Sequence, residues 1–276
     1  MMRALPRFLI ATSALLLAGA SRLTAQAPVP IRDNSFLIEE AYNQEWGVVQ
    51  HVATFQRIRG SSDWGATFTQ EWPAPGERHQ LSYTVPMQRS ASENRIATGI
   101  GDVALNYRYQ VAFRQGSALA MSPRFSVLLP VGDERRGHGS GGTGVELNLP
   151  VSIALSRLIV THLNAGGSWT PNSRNAAGDR AATTSTFVGQ SVVLLIHPKL
   201  NFLVEALWSQ EQIVAGAGRT ERERAFAIAP GLRGAIDFAS GLQVVPGIVF
   251  PIGIGPSRGE EGVYLYLSFE HPFRRR

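Results

Sequence analysis

The sequence has no cysteine. That excludes disulfide frameworks, thiolate metal sites and cysteine nucleophiles. Lysine is nearly missing as well: Lys199 is the only one, so the excess of 26 basic over 21 acidic residues is carried by arginines. These are scattered and interleaved with acids, which is not the one-sided footprint of a nucleic-acid binder, and no nucleic-acid partner is expected. Charged residues make up 17% of the chain, below the roughly 25% usual in soluble domains. Five of the six histidines (His51, His79, His162, His197, His271) lack metal-ligand spacing, and neither a metal nor a cofactor is expected. Gly99-Ile100-Gly101 is read as a turn and not a nucleotide loop, because no Lys-Ser/Thr follows it and a strand comes next.

Long apolar runs are also lacking, with one exception at the start. FLIATSALLLAGA, from Phe8 to Ala20, follows Arg3 and Arg7 and precedes the small residues around Ala25. It is shorter than the roughly 20 residues of a membrane helix. A charged start, a short apolar stretch and a small-residue cleavage site make a secretory signal. We expect a signal peptide over 1–25, a periplasmic N-terminal segment over 26–44, and the folded body over 45–276.

What the body does have is alternation. In GDVALNYRYQVAF (101–113), Val103, Leu105, Tyr107, Tyr109, Val111 and Phe113 share one face and Asp102, Asn106, Arg108 and Gln110 the other. Period two means a strand with two unlike faces. The pattern recurs around Phe125, Leu147, Val204, Ile228 and Leu265, and weaker strands over 45–58, 64–72, 80–88, 158–170, 184–196 and 242–252 bring the count to twelve, with the faces of the first and of the 184–196 strand left open. A soluble β-sandwich also alternates, with its apolar face turned inward. Three features favour a transmembrane antiparallel up-and-down β-barrel of about 12 strands. Many strands reach about ten residues, the length that crosses a bilayer at a tilt. Short connections alternate with long, Gly/Ser/Arg-rich ones (90–98, 132–143, 171–183, 211–223), as periplasmic turns alternate with outer loops. Trp64, Trp72, Tyr107, Tyr109, Trp169, Trp208, Phe250 and Phe273 sit near strand ends, where interfacial girdles place such rings. Against this, Pro86, Pro123, Pro130, Pro150, Pro230, Pro246 and Pro251 fall in or beside strands, and a closed barrel has no edge to hide a missing N–H; bulges are expected there.

On this reading Asp102, Arg108, Arg124, Glu146, Asn148, Glu205, Arg233 and Glu270 face the lumen as pore-lining candidates. They describe either a mixed-charge conduit or a salt-bridged interior that conducts nothing; filled barrels have eight strands and open porins sixteen or more. Residues 34–45 read as a short amphipathic helix capped by Ser35, with Glu39 and Glu40 in its first turn, or as a plug in the periplasmic mouth, or as a plain tether. His138 and Ser140, two apart in RGHGSGG, are the one catalytic pairing on offer, a base and a nucleophile. They are similar to the His-x-Ser pair of outer-membrane phospholipase A, but Gly141 stands where that enzyme has Asn and no orienting third residue is assignable. An outer-membrane lipid hydrolase and a non-conducting structural barrel are therefore the alternatives to a channel.

SFLIEEAYNQEWGVVQHV (35–52), GIGDVALNYRYQ, PRFSVLLPVGDE and GLQVVPGIVFPIGIG resemble the outer-membrane barrel transporters grouped as "MetA-pathway of phenol degradation". The resemblance covers most of the body, implies no site residues, and implies passage of small, aromatic or apolar solutes. GVYLYLSFEHPF, from Gly262 to Phe273, resembles the C-terminal signal read by the barrel-assembly machinery, except that Arg274, Arg275 and Arg276 follow its terminal Phe. The partners expected are that machinery and outer-membrane lipid.

Overall fold

The computed structural model describes residues 31, 33, 35–92, 95–112 and 117–273. The signal peptide expected over 1–25 and the three terminal arginines lie outside the described residues. Seventeen strand segments form one antiparallel sheet closed by pairing of the first with the last. They are β1 (Val48–Ile58), β2 (Trp64–Pro73), β3 (His79–Ser92), β4 (Arg95–Ile100), β5 (Val103–Tyr109), β6 (Leu119–Met121), β7 (Arg124–Leu129), β8 (Gly144–Asn148), β9 (Val151–Ala154), β10 (Ile159–Arg174), β11 (Arg180–His197), β12 (Leu200–Gly216), β13 (Arg219–Gly234), β14 (Ile236–Asp237), β15 (Gln243–Val249), β16 (Ile252–Gly253) and β17 (Gly262–Pro272). Five barrel strands are broken in the middle: β4/β5, β6/β7, β8/β9, β13/β14 and β15/β16. The barrel therefore has twelve strands.

The prolines explain the breaks. Pro123, Pro150 and Pro251 occupy three of them directly. Pro86, Pro230 and Pro246 stay within strands, but each lies where one neighbour is interrupted. β3 changes partner from β5 to β4 around Pro86, and Pro86 O accepts from Gly101 N at 2.9 Å. β13 changes from β15 to β16 around Pro230, and Pro230 O accepts from Phe250 N at 3.0 Å. Each absent N–H thus falls at a gap in the ladder: the register slips by one residue across Pro86 and resumes unchanged across Pro230.

The outward rows are apolar and open: Leu105, Leu147, Val188, Val204, Leu232 and Leu265 are all exposed. A soluble fold could not leave so much apolar surface bare. On β12 this face runs through Phe202, Val204, Ala206 and Trp208, then turns polar at Gln210. Trp208 pairs with Phe226 on β13, above which Arg224 and Arg222 point outward, and with Val188 on β11. The belt therefore ends at one level, capped by aromatic rings. Among the described residues no helix is long and apolar enough to cross a membrane. Val204 lies mid-belt. Val204→Arg is expected to lower stability in lipid by about 2–4 kcal/mol, whereas Thr186→Arg, one step past Val188 on the outward face of β11, costs about 0–1. Denaturant titrations in lipid vesicles would measure the difference.

The expected sorting of loops needs correction. Three connections read as long outer loops, 90–98, 171–183 and 211–223, are mostly strand: β10 to β13 run 16 to 18 residues and close in tight turns at 175–179 and 217–218. Their Ser, Thr and Arg residues continue the ladder past the belt, because polar β-formers pair as well in water as beside lipid. Long loops persist at 130–143 and 254–261, each carrying one 3-10 turn (Glu134–Arg136 and Gly255–Ser257).

Candidate functional site

The lumen contains the N-terminal segment. Its described residues from Ile31 to Glu45 are extended and bent, not helical, and Ser35 caps nothing: its Oγ is buried with no hydrogen-bond partner among the described residues. The helix expected over 34–45 is thereby corrected. A helix would have satisfied its own N–H groups; here the barrel wall satisfies them. Glu205 accepts from the backbone N–H of Phe36 (3.0 Å), Leu37 (2.8 Å) and Ile38 (3.3 Å). Asn164 Oδ1 accepts from Glu39 N at 2.8 Å, and Ser152 Oγ from Ala41 N at 2.8 Å. Buried backbone donors need such partners, and lumen side chains supply them one by one.

Carbonyls and carboxylates of the segment are held by cations. Arg233 Nη1 donates to Asp33 O and, at 2.9 Å, to Glu40, while its Nη2 reaches Ile31 O at 3.1 Å. Arg108 donates to Glu40 O (3.3 Å), Tyr42 O (3.2 Å) and Glu39 (2.8 Å). Arg124 bridges Glu39 at 2.8 Å and Glu146 at 2.7 Å. Asp33 accepts from Tyr266, Ser268 and Gln50. Both Arg108 and Arg233 are almost wholly buried, a placement tolerable only because their charges are matched and bonded.

The sequence-picked residues thus fall into three groups. Arg108, Arg124, Glu146 and Asn148 meet around Glu39; Asn148 Nδ2 donates to Asn164 at 3.3 Å. Glu205 and Arg233 clasp the segment from the opposite wall. Glu270 lines the mouth nearest the described termini, where Gln44 Nε2 lies 3.3 Å away. Asp102 stands apart, at the loop end. It accepts from Gly132 N (3.1 Å), Ser140 N (2.7 Å) and Ser140 Oγ (2.7 Å), pinning the 130–143 loop. His138 is buried with its Nδ1 3.2 Å from Gln88, and no hydrogen bond joins it to Ser140. The Ser140 hydroxyl is committed to Asp102, with Gly142 O at 2.8 Å as its other acceptor. This pair has no base-to-nucleophile geometry.

Sequence reasoning missed Asp33, Gln50, Glu71, Gln80, Ser152 and Asn164, all buried polar groups facing the segment or the mouth. It also missed an apolar half of the interior. Val52, Val160, Val193, Leu203, Val245, Val249, Tyr264 and Tyr266 face inward and bury Ile31, Phe36 and Leu37. The available signal was glycine inside strands. A Cβ at Gly247 would lie 2.1 Å from Phe36 Cε1, and one at Gly189 2.2 Å from Ile38 Cδ1. These glycines are the seats of the two side chains.

Space remains in the lumen beside the segment. A cavity of about 460 Å³ opens at the mouth near the described termini, lined by Glu40, Gln50, Glu71 and Glu270 among others. A second, of about 370 Å³, lies beyond the segment among Thr54, Thr67, Thr84, Asn106, Arg108 and Tyr266. A third, of about 500 Å³, lies under the loops among Ser168, Thr170, Thr183, Glu211 and Gln212. The first two share Glu71 as a wall; the second and third share Pro86, Asp102 and Leu128.

No protein-family model matches the chain, and no curated protein matches it in sequence. Solved structures do match in fold. The COG4313 outer membrane channel from Pseudomonas putida F1 superposes with a TM-score of 0.63 at 12% identity, over 84% of this chain and 97% of that one. The NanC porin superposes with a TM-score of 0.52 at 10% identity, over 82% of this chain and 100% of that one. Both are outer-membrane barrels, and the chain shares their fold.

Proposed function

We propose that this chain is a channel of the bacterial outer membrane, passing small solutes by diffusion along a lumen that its own N-terminal segment narrows. The carrying observation is the file of three adjoining cavities, which share Glu71 and then Pro86, Asp102 and Leu128 as walls and run past a segment held between the Arg108 and Arg233 walls. The apolar belt and the fold shared with two outer-membrane barrels support the location, and a leader of the kind expected over 1–25 fits it. The end that holds both described termini and most of the short turns is the periplasmic one, and the 130–143 and 254–261 loops face outward. Export delivers the chain to the barrel-assembly machinery, which reads the strand from Gly262 to Phe273.

The middle cavity is amphipathic. Phe36, Tyr264 and Tyr266 line it together with Thr, Asn and Arg residues. A small aromatic solute bearing a polar group suits both halves, which is the aromatic cargo implied by resemblance, restricted by chemistry. No enzymatic role is proposed, since Ser140 is held as a structural ligand of Asp102. A barrel closed at Glu71 and Arg108 is the second reading, favoured by the density of bonds around the segment.

Planar-bilayer recording of purified protein and liposome swelling separate the two. Small, resolvable steps and slow swelling with a hydroxybenzoate are expected, and Glu71→Ala at the shared wall should enlarge both. Absence of steps and of swelling in the wild type, with both restored by removing residues 31–44, would establish the closed barrel instead.

A further inference from the structure

We propose that the outer wall at the loop end of β17, β1, β2 and β3 binds a phosphorylated glycolipid of the outer leaflet, its phosphates on arginines and an acyl chain in a notch of the wall. The inference rests on the membrane orientation given above.

The notch comes from a local fault in the sheet. The β15–β17 ladder stops at Val249–Tyr264; past it the strands are joined by the Ile252–Glu261 bridge and by bonds from Gly262 N to Pro251 O (2.9 Å) and from Gly253 N to Glu260 O (2.8 Å). A cavity of about 590 Å³ indents the wall there, with Ile58, Phe250, Ile252 and Val263 as its apolar lining and Arg57 and Arg59 at its rim. It is continuous with the lipid-facing belt, because Phe250 and Leu265 are exposed on the same outward face. An acyl chain lying against that face would find the notch without leaving the bilayer.

The charge is placed to match a headgroup. Arg57 pairs with Trp64, and Trp64 with Arg89, on three successive strands. Their side chains share the outward face with Phe55, Phe68 and Met87. Strands lie about 4.8 Å apart, so the two arginine Cα atoms are about 10 Å apart, with an interfacial Trp between them. Arg57 spends only its Nε, on Ser61 O at 3.1 Å. Arg89 Nε is buried with no hydrogen-bond partner among the described residues, an orphaned cationic donor at the edge of an apolar belt. Among the described residues nearby acid is limited: Glu261 engages Arg59 at 3.5 Å in an exposed pair, and Asp63 accepts from Ala91 N at 2.6 Å. Guanidinium groups spaced this way suit two phosphates on one headgroup better than a single phosphodiester.

The test uses the full-length barrel in detergent, titrated with bisphosphorylated lipid A, its dephosphorylated form, or phosphatidylglycerol, and read by native mass spectrometry. Lipid A is expected to be retained preferentially. The Arg57→Gln/Arg89→Gln variant should bind it about ten-fold more weakly, as for loss of two charge-assisted contacts. Arg135→Gln/Arg136→Gln, on the exposed 3-10 turn, serves as the control and should bind normally. Equal retention of all three lipids, or an unaffected double variant that keeps its heat-modifiable migration, overturns the proposal. Orientation is checked separately. Ser62→Cys, in a chain without other thiols, should react with an impermeant maleimide on intact cells. Failure to label sinks the membrane reading and this site with it; labelling without lipid preference sinks the site alone.

Discussion

Glu205→Ala is expected to free the N-terminal segment from the wall. In the native lumen this one carboxylate takes three consecutive backbone N–H groups, from Phe36, Leu37 and Ile38. Alanine removes the acceptors that these donors use. Each orphaned buried donor costs about 1–3 kcal/mol. Donors released into the water-filled lumen regain solvent, so the cost falls on the docked state alone. A loss of about 3 kcal/mol shifts the docking equilibrium more than a hundred-fold. The clasp at Arg233 and Arg108 stays, so the freed stretch is the middle of the segment and not its ends. Ser35, fully buried in the native state, reports the change. A Ser35→Cys reporter should be nearly unreactive to a maleimide in the parent and react rapidly when Glu205→Ala is added. Single-channel conductance should rise about two-fold, since lumen cross-section sets the water-filled area. Glu205→Gln, with one carbonyl oxygen left to accept, should fall between. An unchanged labelling rate in Glu205→Ala would show that the carboxylate does not hold the segment.

The barrel was legible because its physics is local. Period-two rows such as Val103, Leu105 and Tyr107 state which face meets lipid, and Trp208 and Trp169 mark where the belt ends. The lumen was legible only in part. Arg108, Glu205 and Arg233 could be assigned to the interior by parity, but parity does not say what they touch. Their partners are backbone groups of residues 31–42, far away in sequence, and nothing in a run such as IEEAYNQ announces that its N–H groups are bonded elsewhere. Glu39 and Glu40 fit a helix start by local rules, and tertiary partners overrode those rules. The inward rows of β11 and β15 misled in the opposite sense. Val193, Val245 and Val249 look lipid-facing when every apolar residue is assumed to point outward, yet they pack on Phe36 and Ile31. The ambiguity over the 184–196 strand has this cause: both of its faces are partly apolar, one for lipid and one for the segment. Glycine carried the missing information. Gly189 and Gly247 weaken their strands by propensity, and their reason is the close approach of Ile38 and Phe36.

That reason makes the second prediction a matched pair. Gly247→Ala adds one Cβ at a point 2.1 Å from Phe36 Cε1, where no atom can sit while the ring stays. At Gly231 a Cβ would lie 3.1 Å from Phe36 Cε2, so the ring's other edge also lies close to the wall. The ring also meets Tyr266 at 5.6 Å and Tyr264 at 6.3 Å between centroids, both edge-on. Overpacking of this kind costs about 1–3 kcal/mol, and losing the ring outright in Phe36→Ala costs about 3–5. Each single variant should therefore raise the labelling rate of the Ser35→Cys reporter. The double variant Phe36→Ala/Gly247→Ala should label no faster than Phe36→Ala alone, because the added methyl then fills space the ring has vacated. Such coupling is the signature of two residues in contact. The barrel should be untouched throughout: Gly247 keeps its backbone pairings to Arg233 and Tyr266, so heat-modifiable migration should match the parent in all three variants. Strict additivity of the two substitutions would mean that Phe36 does not rest on Gly247.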